Sequence, residues 1–265
     1  MRIHCLQHLE FETFGTIRKW IENRAHKLTI TLPSEAPAFP DPDDFDLLII
    51  MGGLMSVYEE EAHPWIKLEK EFVKIVIEAD KPVLGSCFGG QLLAEVLGAR
   101  VSKNRFEEIG WHRVEKVSLP AGPEVSLGAN SEACVETGPL KGPEEDNDHS
   151  KNISENLPEC FPEEFTAFMW HEDTFEIPAG AVKLFESEAC PNQGYIYNGK
   201  VVGLQFHPEA DGAWIGELVK NCGHELAGGK YVRTEAEILG QETYLREAEE
   251  LTFGLLDWFE KITTN

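Results

Sequence analysis

The sequence predicts an α/β fold in which a mostly parallel central sheet lies between layers of helices. Short apolar runs alternate along the chain with segments that carry apolar residues at helical spacing. This order is typical of a parallel sheet with helices on both faces. The run over residues 46–51 is apolar after its first residue, as is expected of a parallel strand that is buried on both sides.

The first hundred residues supply most of these elements in order. Strands are predicted over residues 2–6, 28–32, 46–51 and 82–85. Helices are predicted over residues 14–23 and 64–79, because apolar residues recur there every three or four positions. A proline-rich loop over residues 33–42 separates the second strand from the third.

The second half of the chain is less regular. A short strand is predicted over residues 111–117, and a helical tail over residues 235–261. Between them, residues 120–165 are rich in glycine, proline and acidic residues. They predict a solvated, inserted loop, with a lid or a partner-docking surface left open. The predicted division is one domain over residues 1–230, which includes the insertion, and a C-terminal helical extension over residues 231–265.

Composition and charge exclude several classes of partner. The chain has 265 residues, 42% of them hydrophobic, which suits one sizeable globular domain. Its formal net charge of −24 repels phosphate backbones and anionic membrane surfaces, so we expect neither nucleic acid nor a membrane as partner. No stretch approaches the about 20 apolar residues that span a bilayer, and the N-terminus lacks the apolar core of a signal peptide. We therefore expect a cytoplasmic protein.

The cysteines are scattered, without a C-x-x-C pair or metal-ligand spacing to a histidine. We expect reduced thiols and no metal site, with disulfide pairing in a secreted protein as the alternative. The six are Cys5, Cys87, Cys134, Cys160, Cys190 and Cys222.

Residues 85–91, Gly-Ser-Cys-Phe-Gly-Gly-Gln, stand between a predicted strand and an apolar helix. The pattern predicts a nucleophile elbow, a sharp strand-to-helix turn whose backbone brings Gly85 and Gly89 so close that side chains there would collide. The turn places the Cys87 sulfur at the start of the helix. Free N–H groups and the helix dipole favour a thiolate there, and the thiolate is the form that attacks carbon.

A cysteine nucleophile needs a base, and the base needs a group that orients it. Residues 199–209 predict a turn and a strand that ends close to His207 and Glu209. His207 can take the proton of Cys87 and return it to a leaving amine, while Glu209 holds the imidazole in the right tautomer.

Acyl transfer also needs hydrogen-bond donors for a negatively charged tetrahedral intermediate. Gly52 and Gly53 end a buried strand and can expose backbone N–H groups without side-chain obstruction. The N–H of Phe88, at the start of the predicted helix, supplies a second donor. We therefore expect the oxyanion hole at Gly53 and Phe88.

The elbow, the segment His207-Pro-Glu209 and the Gly-Gly loop together resemble the class I glutamine amidotransferase family, whose motifs occur in this order. The resemblance covers about residues 46–209 and is nearest to free-standing members similar to the glutaminase domain of GMP synthase. It implies a flavodoxin-like three-layer sandwich and a catalytic Cys-His-Glu triad. One position departs from the family pattern, because Gly90 stands where the family often has His, Met or Asn.

The resemblance also implies roles around the pocket. It identifies residues 51–57 as the oxyanion loop, with Gly52 beside the substrate, and Gln91 as a contact to bound glutamine. His171 lies in a segment that resembles the family's histidine-containing loop. We expect it to be a pocket or gating residue, with a structural role as the alternative.

The expected reaction is hydrolysis of the side-chain amide of glutamine through a Cys87 thioester, without a metal or an organic cofactor. Family members pass the ammonia to a synthetase domain or subunit, whereas this sequence contains no P-loop. Three alternatives stay open. The protein serves a separate synthetase or acceptor subunit, it hydrolyses γ-glutamyl compounds, or it is a regulatory or binding subunit whose triad is idle.

Overall fold

The computed structural model describes residues 1–11, 13–35, 37–117 and 161–264. Most of the acid-rich stretch predicted as an insertion over residues 120–165 therefore lies outside the described residues, and so do Cys134 and Cys160.

The described strands form one nine-stranded sheet in the order β2-β1-β3-β4-β9-β8-β7-β5-β6. The pairings that join β2, β1, β3, β4 and β9 are parallel, and those that join β9, β8, β7, β5 and β6 are antiparallel. The strands are β1 Arg2–Leu6, β2 Lys27–Thr31, β3 Leu47–Ile50, β4 Val83–Ser86, β5 Val101–Lys116, β6 Glu164–Phe175, β7 Ala181–Glu186, β8 Gly194–Tyr197 and β9 Val201–Leu204.

Helices cover both faces of the parallel half. In β3, Leu47 and Ile49 pack into an apolar cluster with α1 and α6, whereas Leu48 and Ile50 pack into a second cluster with α2 and α3. This alternation follows from the two-residue period of a strand and explains why residues 47–50 are apolar on both faces. The helices are α1 Gly15–Asn23, α2 Trp65–Glu78, α3 Phe88–Val96, α4 Gly212–Cys222, α5 Glu235–Ile238 and α6 Glu242–Thr264.

The sheet is mixed, whereas the sequence predicted a mostly parallel one. The reason lies in the connections, because parallel neighbours need a long crossover and antiparallel neighbours need only a turn. Between β8 and β9, Asn198 and Gly199 adopt positive φ values of 49° and 65°. An Asn-Gly pair is a strong hairpin signal. The predicted strand over residues 111–117 is also the end of a much longer one, Val101–Lys116.

The predicted helical tail contains two helices. The chain leaves α5 at Leu239, which is extended with ψ 152°, and α6 then runs along the body of the fold. Leu255, Leu256 and Phe259 of α6 are buried in the same cluster as α1. The Thr252 hydroxyl donates a hydrogen bond to the Pro208 carbonyl, so α6 also contacts the segment between His207 and Glu209.

Across the described residues, no helix is both long enough and apolar enough to cross a bilayer.

Candidate active site

Loops at the carboxyl ends of four parallel strands meet at one edge of the sheet. His8 follows β1, Gly52 and Gly53 follow β3, Cys87 follows β4, and His207 lies three residues after β9. A side chain built at Gly52 would lie 2.8 Å from the His207 ring and 3.7 Å from Cβ of Cys87. In open α/β sheets this edge is where ligands bind.

Cys87 occupies a strained turn between β4 and α3. Its φ of 49° and ψ of −108° lie outside the regions that non-glycine residues prefer. A Cβ at Gly85 would lie 2.5 Å from the backbone of Gly89, which is the collision that the sequence pattern predicted. The turn leaves Cys87 directly before Phe88, the first residue of α3, where backbone N–H groups have no partner within the helix.

His207 and Glu209 are buried next to Cys87. His207 Nδ1 lies 2.8 Å from Glu209 Oε1, and the neighbouring Cys87 also raises the pKa of the imidazole. Because Nδ1 is engaged by Glu209, Nε2 is the nitrogen left for Cys87. The Ser86 hydroxyl donates to the other Glu209 oxygen at 2.9 Å, which fixes the carboxylate in place.

The groups around His207 favour its protonated form. Burial by itself lowers the pKa of His207, but the Glu209 carboxylate and Cys87 together raise this pKa to about 10. His207 therefore holds a proton through the neutral pH range, next to the sulfur.

A cavity of about 550 Å³ opens beside Cys87. Gly53, Gln91 and His171 line it, and Gly52 and His207 line a small adjoining cavity of about 20 Å³. None of the described residues that line the larger cavity is Lys or Arg, whereas four are acidic: Glu107, Glu172, Asp173 and Glu225. Lys103 forms ion pairs with Glu172 and Asp173 but does not itself line the cavity. One lysine does not balance four carboxylates, so the cavity wall keeps a net negative charge.

Gln91 forms part of the cavity wall behind the sulfur. Its Nε2 donates to Oε1 of Gln205 at 3.2 Å and to the carbonyl of Asp173 at 3.4 Å. Nε2 of Gln205 in turn lies 3.9 Å from the Cys87 sulfur. Gln91 therefore lies within reach of a ligand in the cavity, and Gln205 holds the Gln91 side chain in place.

His171 lies in the cavity wall and pairs with a different carboxylate. Its Nδ1 donates to the carbonyl of Asp173 at 3.0 Å, and its Nε2 lies 3.2 Å from Glu108. Burial raises the pKa of Glu108, but the partnership with His171 outweighs it and leaves that pKa below its ordinary value. Because both nitrogens of His171 face these partners, His207 is the imidazole available to Cys87.

Gly90, where the chain departs from the family pattern, has no room for a side chain. A Cβ there would lie 2.4 Å from the carbonyl oxygen of Leu204 in β9. The Tyr195 hydroxyl donates to the Gly90 carbonyl at 2.9 Å, so α3 and the sheet approach closely at this point.

Several polar residues that surround the site were not predicted from the sequence. Ser86 supports Glu209, and Gln205 contacts Gln91 and the sulfur. His8 and Glu69 form a fully buried pair beneath the Gly52 loop. For Ser86 and Gln205 a signal was available, because each is a polar residue at the end of an otherwise apolar strand.

Two other described thiols, Cys190 and Cys222, are buried. Burial raises the pKa of Cys190 and of Cys222 to about 11, so both stay protonated at neutral pH. No cluster of described residues has the composition of a metal site.

Comparisons with known proteins agree with this architecture. The chain is 29% identical to the glutamine amidotransferase-like protein YfeJ of Salmonella typhimurium over 90% of this chain and 89% of that protein. It is also 29% identical to the GMP synthase of Caldicellulosiruptor saccharolyticus, over 69% of this chain but only 28% of the synthase. A solved glutamine amidotransferase from Thermotoga maritima superimposes with a TM-score of 0.75 and 30% identity, and the match covers 98% of this chain and 97% of that one.

The family assignment rests on a match to a family model. The model of the family described as glutamine amidotransferase class-I matches residues 12–223, which include the elbow, the Gly-Gly loop and the His-Pro-Glu segment. The Thermotoga maritima structure extends the similarity over nearly the whole chain. This chain therefore belongs to the class I glutamine amidotransferase family.

Proposed function

We propose that this protein hydrolyses the side-chain amide of glutamine, with Cys87 as nucleophile, His207 as acid and base, and Glu209 as the group that orients His207. One observation carries the proposal. His207 Nδ1 lies 2.8 Å from Glu209, which leaves the opposite nitrogen for Cys87. A nucleophile, a base and an orienting carboxylate in this order are the arrangement used for covalent acyl transfer.

In the first half of the reaction, the Cys87 thiolate attacks the amide carbon and the carbonyl oxygen becomes an oxyanion. The backbone N–H groups of Gly53 and Phe88 stabilise this charge. His207 then gives its proton to the amide nitrogen, the C–N bond breaks, and ammonia leaves a thioester behind. The raised pKa of His207 supports this role, because the proton is already in place at neutral pH.

In the second half, His207 takes a proton from water as the water oxygen attacks the thioester. The C–S bond breaks, and glutamate and the Cys87 thiolate are released with His207 protonated again. General acid–base assistance of this kind contributes about 10²–10⁴-fold to the rate.

The acidic cavity wall favours the binding of a substrate that carries an ammonium group. The α-ammonium of glutamine is attracted by carboxylates such as Glu107, Glu172 and Glu225, which line the cavity. We place Gln91 and His171 among the substrate contacts because they share the same wall, and Gly52 beside the reacting carbon.

A γ-glutamyl compound is the second candidate substrate. The cavity volume of about 550 Å³ exceeds the space that one glutamine molecule fills, so a larger leaving group can be accommodated. For glutamine itself, we propose that the ammonia goes to a separate synthetase or acceptor subunit. In the GMP synthase of Caldicellulosiruptor saccharolyticus, the matching region is 28% of the protein.

We assign the five parallel strands, with helices on both faces, to a flavodoxin-like three-layer sandwich with α5 and α6 as its C-terminal tail. The order β2-β1-β3-β4-β9 supports the assignment. We also propose a cytoplasmic location, where a reducing environment preserves a reactive thiol.

The test compares glutamine with γ-glutamyl peptides as substrates for the purified protein and for Cys87→Ala. Glutamate, ammonia and the leaving amine are measured, and the thioester is trapped and identified by mass spectrometry. Cys222→Ala serves as the matched control because it removes a buried thiol outside the cavity.

We expect the wild type and Cys222→Ala to release glutamate and Cys87→Ala to release none. Activity that survives in Cys87→Ala removes Cys87 from its role. Release from γ-glutamyl peptides alone favours the second candidate. If the wild type is silent with both substrates, an idle triad or a missing acceptor subunit is indicated.

A further inference from the structure

A second buried histidine–carboxylate pair lies beneath the Gly52–Gly53 loop, and the mechanism above does not use it. His8, just after β1, places Nε2 3.0 Å and 3.1 Å from the two oxygens of Glu69 on α2. Both side chains are completely buried. An unpaired carboxylate at such a depth is strongly destabilising, so the pair keeps each group in place.

The opposite nitrogen of His8 contacts the loop. Nδ1 lies 3.1 Å from the carbonyl oxygen of Gly52. Because a carbonyl can only accept, Nδ1 must carry the hydrogen. The bond therefore fixes the direction of the Gly52 carbonyl.

The direction of this carbonyl decides where the next N–H group points. The carbonyl of Gly52 and the N–H of Gly53 belong to one planar trans peptide, in which they point in opposite directions. With the carbonyl held by His8, the N–H of Gly53 is turned to the other side of the loop. Gly53 lines the cavity together with Cys87, and Gly52 lies next to the rings of His207 and Trp214 around the small adjoining cavity.

His8 also contacts the side chain of Phe88, whose backbone N–H is the second donor of the proposed oxyanion hole. Its ring lies between Trp65, with ring centroids 5.5 Å apart, and Phe88, with centroids 4.7 Å apart. A Cβ at Gly53 would lie 3.4 Å both from the Phe88 ring and from Cβ of His8. One side chain therefore packs against both residues whose N–H groups are proposed to receive the negative charge.

We propose that His8, held by Glu69, is the positioning residue of the oxyanion hole: its Nδ1–H bond to the Gly52 carbonyl aims the N–H of Gly53 at the oxygen of the carbonyl group that Cys87 attacks. The inference rests on the proposed function for its biological reaction. The geometry itself applies to any acyl group that Cys87 attacks.

The test separates oxyanion stabilisation from thiolate reactivity. With p-nitrophenyl acetate, the Cys87 thiolate adds to the acetyl carbonyl, an oxyanion forms and collapses, and p-nitrophenolate leaves an acetyl thioester. With iodoacetamide, the same sulfur forms an S–C bond as iodide leaves, without an oxyanion. Cys87→Ala gives the background from other thiols. Neither reagent needs a glutamine site.

Two matched variants isolate the Nδ1–H bond. Both carry Glu69→Gln, which neutralises the carboxylate that loses its partner. One adds His8→Asn, whose side-chain N–H stands near the position of Nδ1. The other adds His8→Leu, which has nearly the same shape and no donor. Thermal unfolding is measured for both, and if the leucine variant does not fold, methionine replaces it as a flexible side chain that fills the space beside Trp65 and Phe88.

We expect acylation by p-nitrophenyl acetate to be slower by about tenfold or more in the leucine variant than in the asparagine variant, since a misdirected donor loses much of its effect. Alkylation by iodoacetamide should be equal in the two. Equal acylation rates, or acylation and alkylation that fall together, overturn the inference. A wild type that is acylated but does not hydrolyse glutamine contradicts the proposed function and leaves this comparison fully informative.

Discussion

Replacing Glu209 by glutamine tests the charge that sets the protonation of His207. The substitution keeps a hydrogen-bond acceptor for Nδ1, 2.8 Å away in the wild type, but removes the negative charge. Burial lowers the pKa of His207, and Glu209 is the first group that opposes this effect. We therefore expect this pKa to fall from about 10 towards or below the ordinary value of 6.5.

The free energy at stake follows from the shift in the pKa of His207. The difference between 6.5 and about 10 corresponds to on the order of 5 kcal/mol of preference for the protonated imidazole, shared by Glu209 and Cys87. Because the folded-state pKa is raised, this stabilisation is fully present below pH 6.5 and is lost as the pH rises through about 10. In Glu209→Gln most of this stabilisation should be absent, because the folded-state pKa of His207 then lies close to or below 6.5.

Two measurements check this prediction. NMR titration of the His207 ring gives its pKa directly. The proposed release of glutamate from glutamine is followed from about pH 5 to about pH 10.5, so that a limit near 6.5 in the variant and a limit near 10 in the wild type both fall within the range. We expect the decline at high pH to move towards neutrality and kcat to fall by about 10²–10⁴-fold. Glu217→Gln, a partly exposed residue on α4, is the control. A Glu209→Gln variant with the wild-type pH limit and near wild-type kcat would refute the reasoning.

Two further predictions concern stability and are checked by urea unfolding. Gly90→Ala should lower the free energy of unfolding by about 1–3 kcal/mol, because its Cβ would meet the Leu204 carbonyl at 2.4 Å. Gly216→Ala, on α4 with open space around it, should raise the free energy by about 1 kcal/mol, and equal effects at the two sites would contradict the packing argument. Burial lowers the pKa of His4 to about 4. The wild type should therefore lose on the order of 3 kcal/mol as the pH falls from 6.5 to 4, and His4→Phe should lose less; identical pH dependence of the two would exclude His4 as the cause.

The parts of the site that could be predicted from the sequence are those that depend on residues close together in the chain. The elbow requires small residues on either side of Cys87, and the structure has the expected close approach of Gly85 and Gly89. His207 and Glu209 are two residues apart, so their contact is also local. The parallel strands bring these motifs together because their carboxyl ends meet at one edge of the sheet.

The support of the site was not predictable in this way. His8 and Glu69 are 61 residues apart, and Gln91 and Gln205 are 114 apart. Neither pair has a spacing that a helix or a strand imposes. A histidine or glutamine near a strand end gains such a partner only after the strands have been ordered in the sheet.

By itself, then, the sequence determined the strand–helix order of the parallel half, the elbow at Cys87 and the identity of the triad candidates, because these depend on neighbouring residues and on apolar periodicity. The tertiary structure decided the antiparallel half of the sheet, the packing of α6 against α1, and the contact of His8 with the Gly52 carbonyl. These depend on which distant segments become neighbours, and pairings between distant segments are set by the packing of the whole core.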